Sequence, residues 1–148
     1  MPKVAYTPSK GLVQSAGSGF DVSSVIRGAK KQIIATTTTL SLADSGAVLT
    51  PRLAAAQTFT LPAVATAAGF HVTFHAGSPQ VHVINGGGAK MQGAVYHATA
   101  GSTLARQAVT NRSSITLSGA EVGDYFTIIG DGTNYYVFGW CEDEVTLA

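Results

Sequence analysis

From Gln32 onward the chain alternates apolar and polar residues over short runs broken by turn residues, the period-two signature of β-strands. QTFTLP sets Phe59 and Leu61 against Thr58 and Thr60, and FHVTFHA sets Phe70, Val72 and Phe74 against His71, Thr73 and His75. IIATTTTLSL, residues 33 to 42, is rich in β-branched residues and reads as a strand with polar faces. QVHVIN stops at Gly86 to Gly88, and consecutive glycines cost too much entropy to sit inside a strand, so they mark a turn. With QGAVYHA, STLARQAVT, SSITLS, YFTII and YYVFGW the set reaches about ten short strands at roughly 8 to 12 residue spacing, which predicts an all-β fold, an antiparallel β-sandwich or barrel. Only RLAAAQ and AVATAAG offer a helical turn, and Pro51 and Pro62 beside them keep it short.

The most aromatic stretch, GDYFTIIGDGTNYYVFGW, spans residues 123 to 140. Its GDG separates two alternating runs, so it predicts a β-hairpin turned at Asp131-Gly132, a pair able to take the positive φ that such turns need. Alternation puts Phe126 and Ile128 on one face with Tyr136, Phe138 and Trp140, and puts Tyr125, Thr127 and Ile129 opposite with Tyr135 and Val137. Both sides are then apolar enough to be covered. A sandwich core needs one of them, and the other is left for an arm, a loop or a second subunit.

The first thirty residues lack both periodicities and carry Pro2, Pro8 and GSGF, so residues 1–32 read as an extended N-terminal arm on a body of residues 33–148. Val4, Tyr6, Leu12, Val13 and Phe20 punctuate the arm as isolated apolar residues, the pattern of a segment laid in a groove on a partner. Charge sharpens the division. Residues 1 to 31 hold Lys3, Lys10, Arg27, Lys30 and Lys31 against Asp21, whereas residues 121 to 148 hold Glu121, Asp124, Asp131, Glu142, Asp143 and Glu144 with no Lys or Arg. Two complementary ends differ from the continuous basic groove of a nucleic-acid binder, so no nucleic acid is expected. Only 11% of the residues are charged while 45% are hydrophobic, a surface that repels neighbours weakly and favours association. No run approaches the roughly 18 apolar residues of a membrane span, and the N-terminus lacks a signal-peptide core.

Candidate chemistry is sparse. The chain has no phosphate loop, dinucleotide fingerprint or nucleophile elbow, so no enzymatic activity and no catalytic residue is expected. Cys141 is the only cysteine and reads as a small packed hydrophobe. Glu142 to Glu144 read as a solvated acidic run, Asn111 to Ser113 as a sequon without a secretory context, and DGTN as turn chemistry rather than a calcium loop. His71, His75 and His82 would suit zinc if their strands paired, but residues four apart on a strand are separated by about 13 Å, too far to share an ion. No metal and no cofactor is expected.

The order of motifs adds a resemblance. LADSGAVLTPRLAAAQTFTLPAVATAAGFHVTFHAGS, then VHVINGGGAKMQG, then ITLSGAEVGDYFTIIGDGTNYYVFGW together resemble β-rich structural proteins of tailed bacteriophages, over most of residues 42 to 140. Related patterns occur in head decoration (cement) proteins and in tail-fibre modules, and YTPSKGLVQSAGSGF looks like the opening of small head proteins. The resemblance implies a jelly-roll or tulip-like body that forms a homotrimer on the outer capsid surface of a virion, made in the host bacterial cytoplasm, with its arm over the major capsid protein. On that reading Lys3, Val4, Tyr6, Lys10, Leu12, Val13, Phe20, Arg27, Lys30 and Lys31 form the capsid-binding arm. Phe126, Ile128, Tyr135, Tyr136, Phe138 and Trp140 form the core and subunit interface of the hairpin. The alternative is a tail-fibre or receptor-binding module that meets glycans through Tyr135, Tyr136 and Trp140.

Overall fold

The alternating runs become strands that stack as two mixed sheets around one core. The computed structural model describes residues 4–7, 11–14, 32–33, 37–88, 90–98 and 103–148. The strands are β1 (Val4–Thr7), β2 (Gly11–Gln14), β3 (Gln32–Ile33), β4 (Thr38–Thr39), β5 (Val48–Leu49), β6 (Gln57–Thr60), β7 (His71–His75), β8 (His82–Asn85), β9 (Lys90–His97), β10 (Ala105–Arg112), β11 (Ser114–Leu117), β12 (Tyr125–Gly130), β13 (Asn134–Cys141) and β14 (Thr146–Leu147). A seven-stranded sheet runs β10-β9-β13-β12-β7-β5-β3, a five-stranded sheet runs β14-β11-β8-β6-β4, and β1 pairs with β2 alone.

The antiparallel expectation is corrected. β3, β5 and β7 pair in parallel in one sheet, β4, β6 and β8 pair in parallel in the other, and β9 lies parallel to β13. The chain therefore alternates between the sheets from β3 to β8, winding like a flattened coil whose turns stack on one another. Val48 pairs with Thr73 in one sheet and Gln57 with His82 in the other, the same offset of 25 residues. Parallel strands need long crossovers, and here each crossover is a strand of the facing sheet. This winding also splits IIATTTTLSL: instead of one strand it supplies the end of β3 and all of β4, one for each sheet. A jelly roll, which is antiparallel throughout, does not fit. Nor does a closed barrel, because β10 and β3 edge one sheet and β14 and β4 the other.

Short 3₁₀ turns form at Leu42–Asp44 and Val64–Thr66. The second falls within AVATAAG as expected; RLAAAQ forms no helical turn and ends where β6 begins at Gln57. The first is fixed by Asp44, whose Oδ2 accepts the Ser41 N–H at 2.9 Å and the Ser41 hydroxyl at 2.8 Å.

Inward positions of the two sheets meet in one core, which makes the body sandwich-like. Phe74 of β7 lies edge-on to Phe59 of β6 with ring centroids 6.0 Å apart, 5.7 Å from Phe126 of β12 and 5.9 Å from His82 of β8. Leu49, Phe59, Phe74, Ile84, Ile115, Phe126 and Ile128 are fully buried around them. Each such side chain contributes roughly 1.5–3 kcal/mol relative to exposure. Among the residues whose burial is described, the core runs from Leu40 to Val145, with Leu147 packed against it.

Candidate association surface

β12 and β13 form the predicted hairpin. Asp131 closes it: its Oδ1 accepts the N–H groups of Thr133 and Asn134, each at 2.7 Å, and its own N–H donates to the Asn134 carbonyl. Those two donors, Asn134 first, hold the exposed carboxyl below the usual aspartate range. Gly132 takes the positive φ, 92°. The Asp-Gly pair is thus turn chemistry.

The register corrects the assignment of faces. Gly130 pairs with Tyr135, Ile128 with Val137 and Phe126 with Gly139, so these residues point inward together. Phe126, Ile128 and Tyr135 are core and contribute nothing to an external interface. Gly139 makes room for Phe126, since a Cβ there would strike the Tyr125 carbonyl and the Phe126 ring. Tyr135 also ties the sheet ends together: its hydroxyl donates to the Pro62 carbonyl at 2.8 Å, its ring meets Phe70 edge-on, and burial pushes its pKa up to about 12.

Tyr136, Phe138 and Trp140 instead share the outer face with Tyr125, Thr127 and Ile129. This is the side left for an arm, a loop or a second subunit, and among the described residues nothing covers it. Phe138 is 59% exposed, Tyr136 and Ile129 48%, Tyr125 41% and Trp140 37%. Neighbouring strands extend the face. Trp140 pairs with Tyr96 on one side and Tyr125 on the other, and Tyr125 pairs with His75. A continuous row, Tyr96–Trp140–Tyr125–His75, crosses four strands. Tyr96 also meets the Phe138 ring edge-on at 5.9 Å. Tyr96 escaped the sequence reading because its place in the row depends on the parallel β9–β13 pairing; its only local sign is its parity in the GAVYHA alternation.

The remaining candidates separate. His71 and His75 are exposed on this outer face, whereas His82 is buried in the facing sheet, so the three imidazoles do not converge. Among the described residues no group of three His, Cys, Asp or Glu side chains is placed to hold a metal ion. His82 Nε2 donates to the Ser78 carbonyl at 3.1 Å, while Nδ1 has no partner; burial lowers its pKa against the opposing effect of the Ser78 bond.

The acidic residues gather at one end of the body. Asp124, buried, accepts the N–H of Glu142 at 2.9 Å on Oδ1 and that of Glu121 at 3.1 Å on Oδ2, pinning the start of β12 to the end of β13. Burial raises its pKa, opposed by these two bonds and reinforced by the Glu121 and Asp143 charges. Glu121, Glu142, Asp143 and Glu144 surround it with exposed carboxyls. Cys141 is buried in the same corner, its thiol pushed up first by burial and then by Asp124, which leaves it unreactive near neutrality.

Of the arm candidates, Val4, Tyr6, Leu12 and Val13 fall in β1 and β2, where Tyr6 pairs with Leu12 and Ala5 with Val13. Lys3, Lys10, Phe20, Arg27, Lys30 and Lys31 lie outside the described residues.

No protein-family model, curated protein or solved structure matches the chain.

Proposed function

We propose that the protein is a structural virion component, a capsid decoration (cement) protein that sits as a homotrimer on the outer surface of a phage head and bridges capsid subunits through its N-terminal segment. The observation that carries this reading is the separation of charge: Lys3, Lys10, Arg27, Lys30 and Lys31 lie in the first 31 residues, and the carboxyls of Glu121, Glu142, Asp143 and Glu144 crowd one end of the body around Asp124. A chain with a basic lead segment and an acidic end has two sites for complementary contact, one for the major capsid protein and one for a neighbouring copy. Linking three weak arm contacts through one trimer raises their effective concentration, which turns them into a clamp on the shell. The resemblance to phage decoration proteins agrees with this use.

Deleting residues 1–20 tests the reading. The core from Leu40 to Val145 lies outside the deleted segment, so the truncated chain should fold and remain a trimer while losing capsid binding. Full capsid occupancy by the truncated chain would sink the arm model. Exposed Tyr136 and Trp140 favour a second reading, a glycan-contacting fibre module, although the burial of Tyr135 removes one of its contacts. Copy number per virion separates them: hundreds for a decoration protein and a handful for a fibre.

A further inference from the structure

The outer face of the seven-stranded sheet has no inward role, and among the described residues nothing covers it. Its outward positions on β7, β12 and β13 carry aromatic, branched, hydroxyl, amide and imidazole side chains and no Lys, Arg, Asp or Glu. Aromatic side chains present roughly 150–250 Å² each, so Phe138, Trp140, Tyr136 and Tyr125, about half exposed, offer with Ile129 on the order of 500 Å² of contact area. That lies at the upper end of the largest apolar patch on an ordinary monomer, about 300–600 Å². With Tyr96, His75 and the threonines between them, the face approaches the roughly 800 Å² per partner of a standard stable interface.

We propose that this face, centred on Phe138 and the Tyr96–Trp140–Tyr125–His75 row, is the contact through which copies of this chain cover one another. The inference rests on the homotrimer of the proposed function and names its surface. Two features identify the occupant. At its centre, on β7, β12 and β13, the face carries no charge that a differently charged partner could complement, while Arg106, paired with Tyr96, stands at its β10 margin; an equally neutral, apolar centre suits it, and each further copy supplies one. That centre also lacks the lysines and glutamates that keep intermittently used surfaces soluble, which fits a partner present wherever the chain is present.

Trp140 is the only tryptophan in the chain, so it reports on this contact without a substitution. Light scattering of the full chain should give three chain masses. On dilution, the access of iodide to Trp140 should rise as the mass falls. Phe138→Asp should lower the mass threefold while circular dichroism keeps its β-sheet signature, and Thr60→Asp, on the outer face of the other sheet, should leave the mass unchanged. A wild-type chain of single mass, iodide access that stays constant while the mass changes, or a folded Phe138→Asp chain of wild-type mass would each overturn the proposal. Should Phe138→Asp fail to fold, the dilution experiment on the unaltered chain still decides. Self-association through this face without binding to capsids would sink the decoration reading and leave this inference standing.

Discussion

The two outward faces of the sandwich are built to the same strand geometry and opposite chemistry. On the five-stranded sheet, pairing sets Thr39, Thr60, Asn85 and Ser114 in one row and Thr58, Val83, Thr116 and Thr146 in the next. Hydroxyls and amides dominate there. On the seven-stranded sheet the corresponding rows are aromatic and branched. Small hydroxyl side chains meet water's hydrogen-bonding demand at little entropic cost, so the first face is complete when the chain folds. The second leaves large apolar rings in water, at about 25 cal/mol per Å². The contrast teaches that scarcity of charge has two meanings in one molecule: a solvated face made from threonine, and a face that leaves aromatic rings exposed.

Both faces depend on the same interior, and the largest expected effect tests that dependence. Phe74 touches rings from both sheets, so Phe74→Ala should cost about 3–5 kcal/mol in denaturant unfolding and loosen both faces in one transition. A loss below 1 kcal/mol, or separate transitions for the two sheets, would show that they do not share a core.

A smaller effect belongs to the aromatic side alone. Tyr135→Phe removes the hydroxyl bonded to the Pro62 carbonyl and leaves that acceptor without its partner, a loss of about 1–2 kcal/mol. Because Tyr135 points inward, the outer face should keep its composition and the oligomer its mass, which separates stability from association.

The smallest effect belongs to the inner side of the threonine sheet and depends on pH. Burial lowers the His82 pKa below 6.5, so the folded chain holds this imidazole neutral while the unfolded chain protonates it more readily. Unfolded chains then bind more protons between the two values, and stability falls as pH drops through 6.5 toward the folded pKa. Thermal midpoints measured from pH 7.5 to 5 should decline, and His82→Gln should flatten that slope. An unchanged slope in the variant would assign the pH dependence to other groups.

Strand positions were legible because alternation and turn residues are local: QTFTLP, FHVTFHA and the Asp131-Gly132 turn all hold. Pairing was not, because a period of two says which residues share a face and nothing about the neighbouring strand. The 25-residue crossovers and the β9–β13 pairing are long-range choices, made where the facing sheet completes the core. The misassigned hairpin face has a narrower cause. Asp131 closes on Asn134 across a two-residue loop, so even-numbered residues of β12 oppose odd-numbered residues of β13, and a loop one residue longer would have reversed the parity. Phe138 and Trp140 were therefore recognisable as important, while their companions Tyr125, Ile129 and Tyr96 were not.

The row from Tyr96 through Trp140 and Tyr125 to His75 joins residues as far apart as positions 75 and 140. No fragment and no half-folded chain can present it, because every ring in it sits on a different strand. Were copies to recognise one another through that row, recognition would amount to quality control: a copy would be admitted to an assembly only after its most distant strands had found one another, and a misfolded copy would be refused for want of a surface.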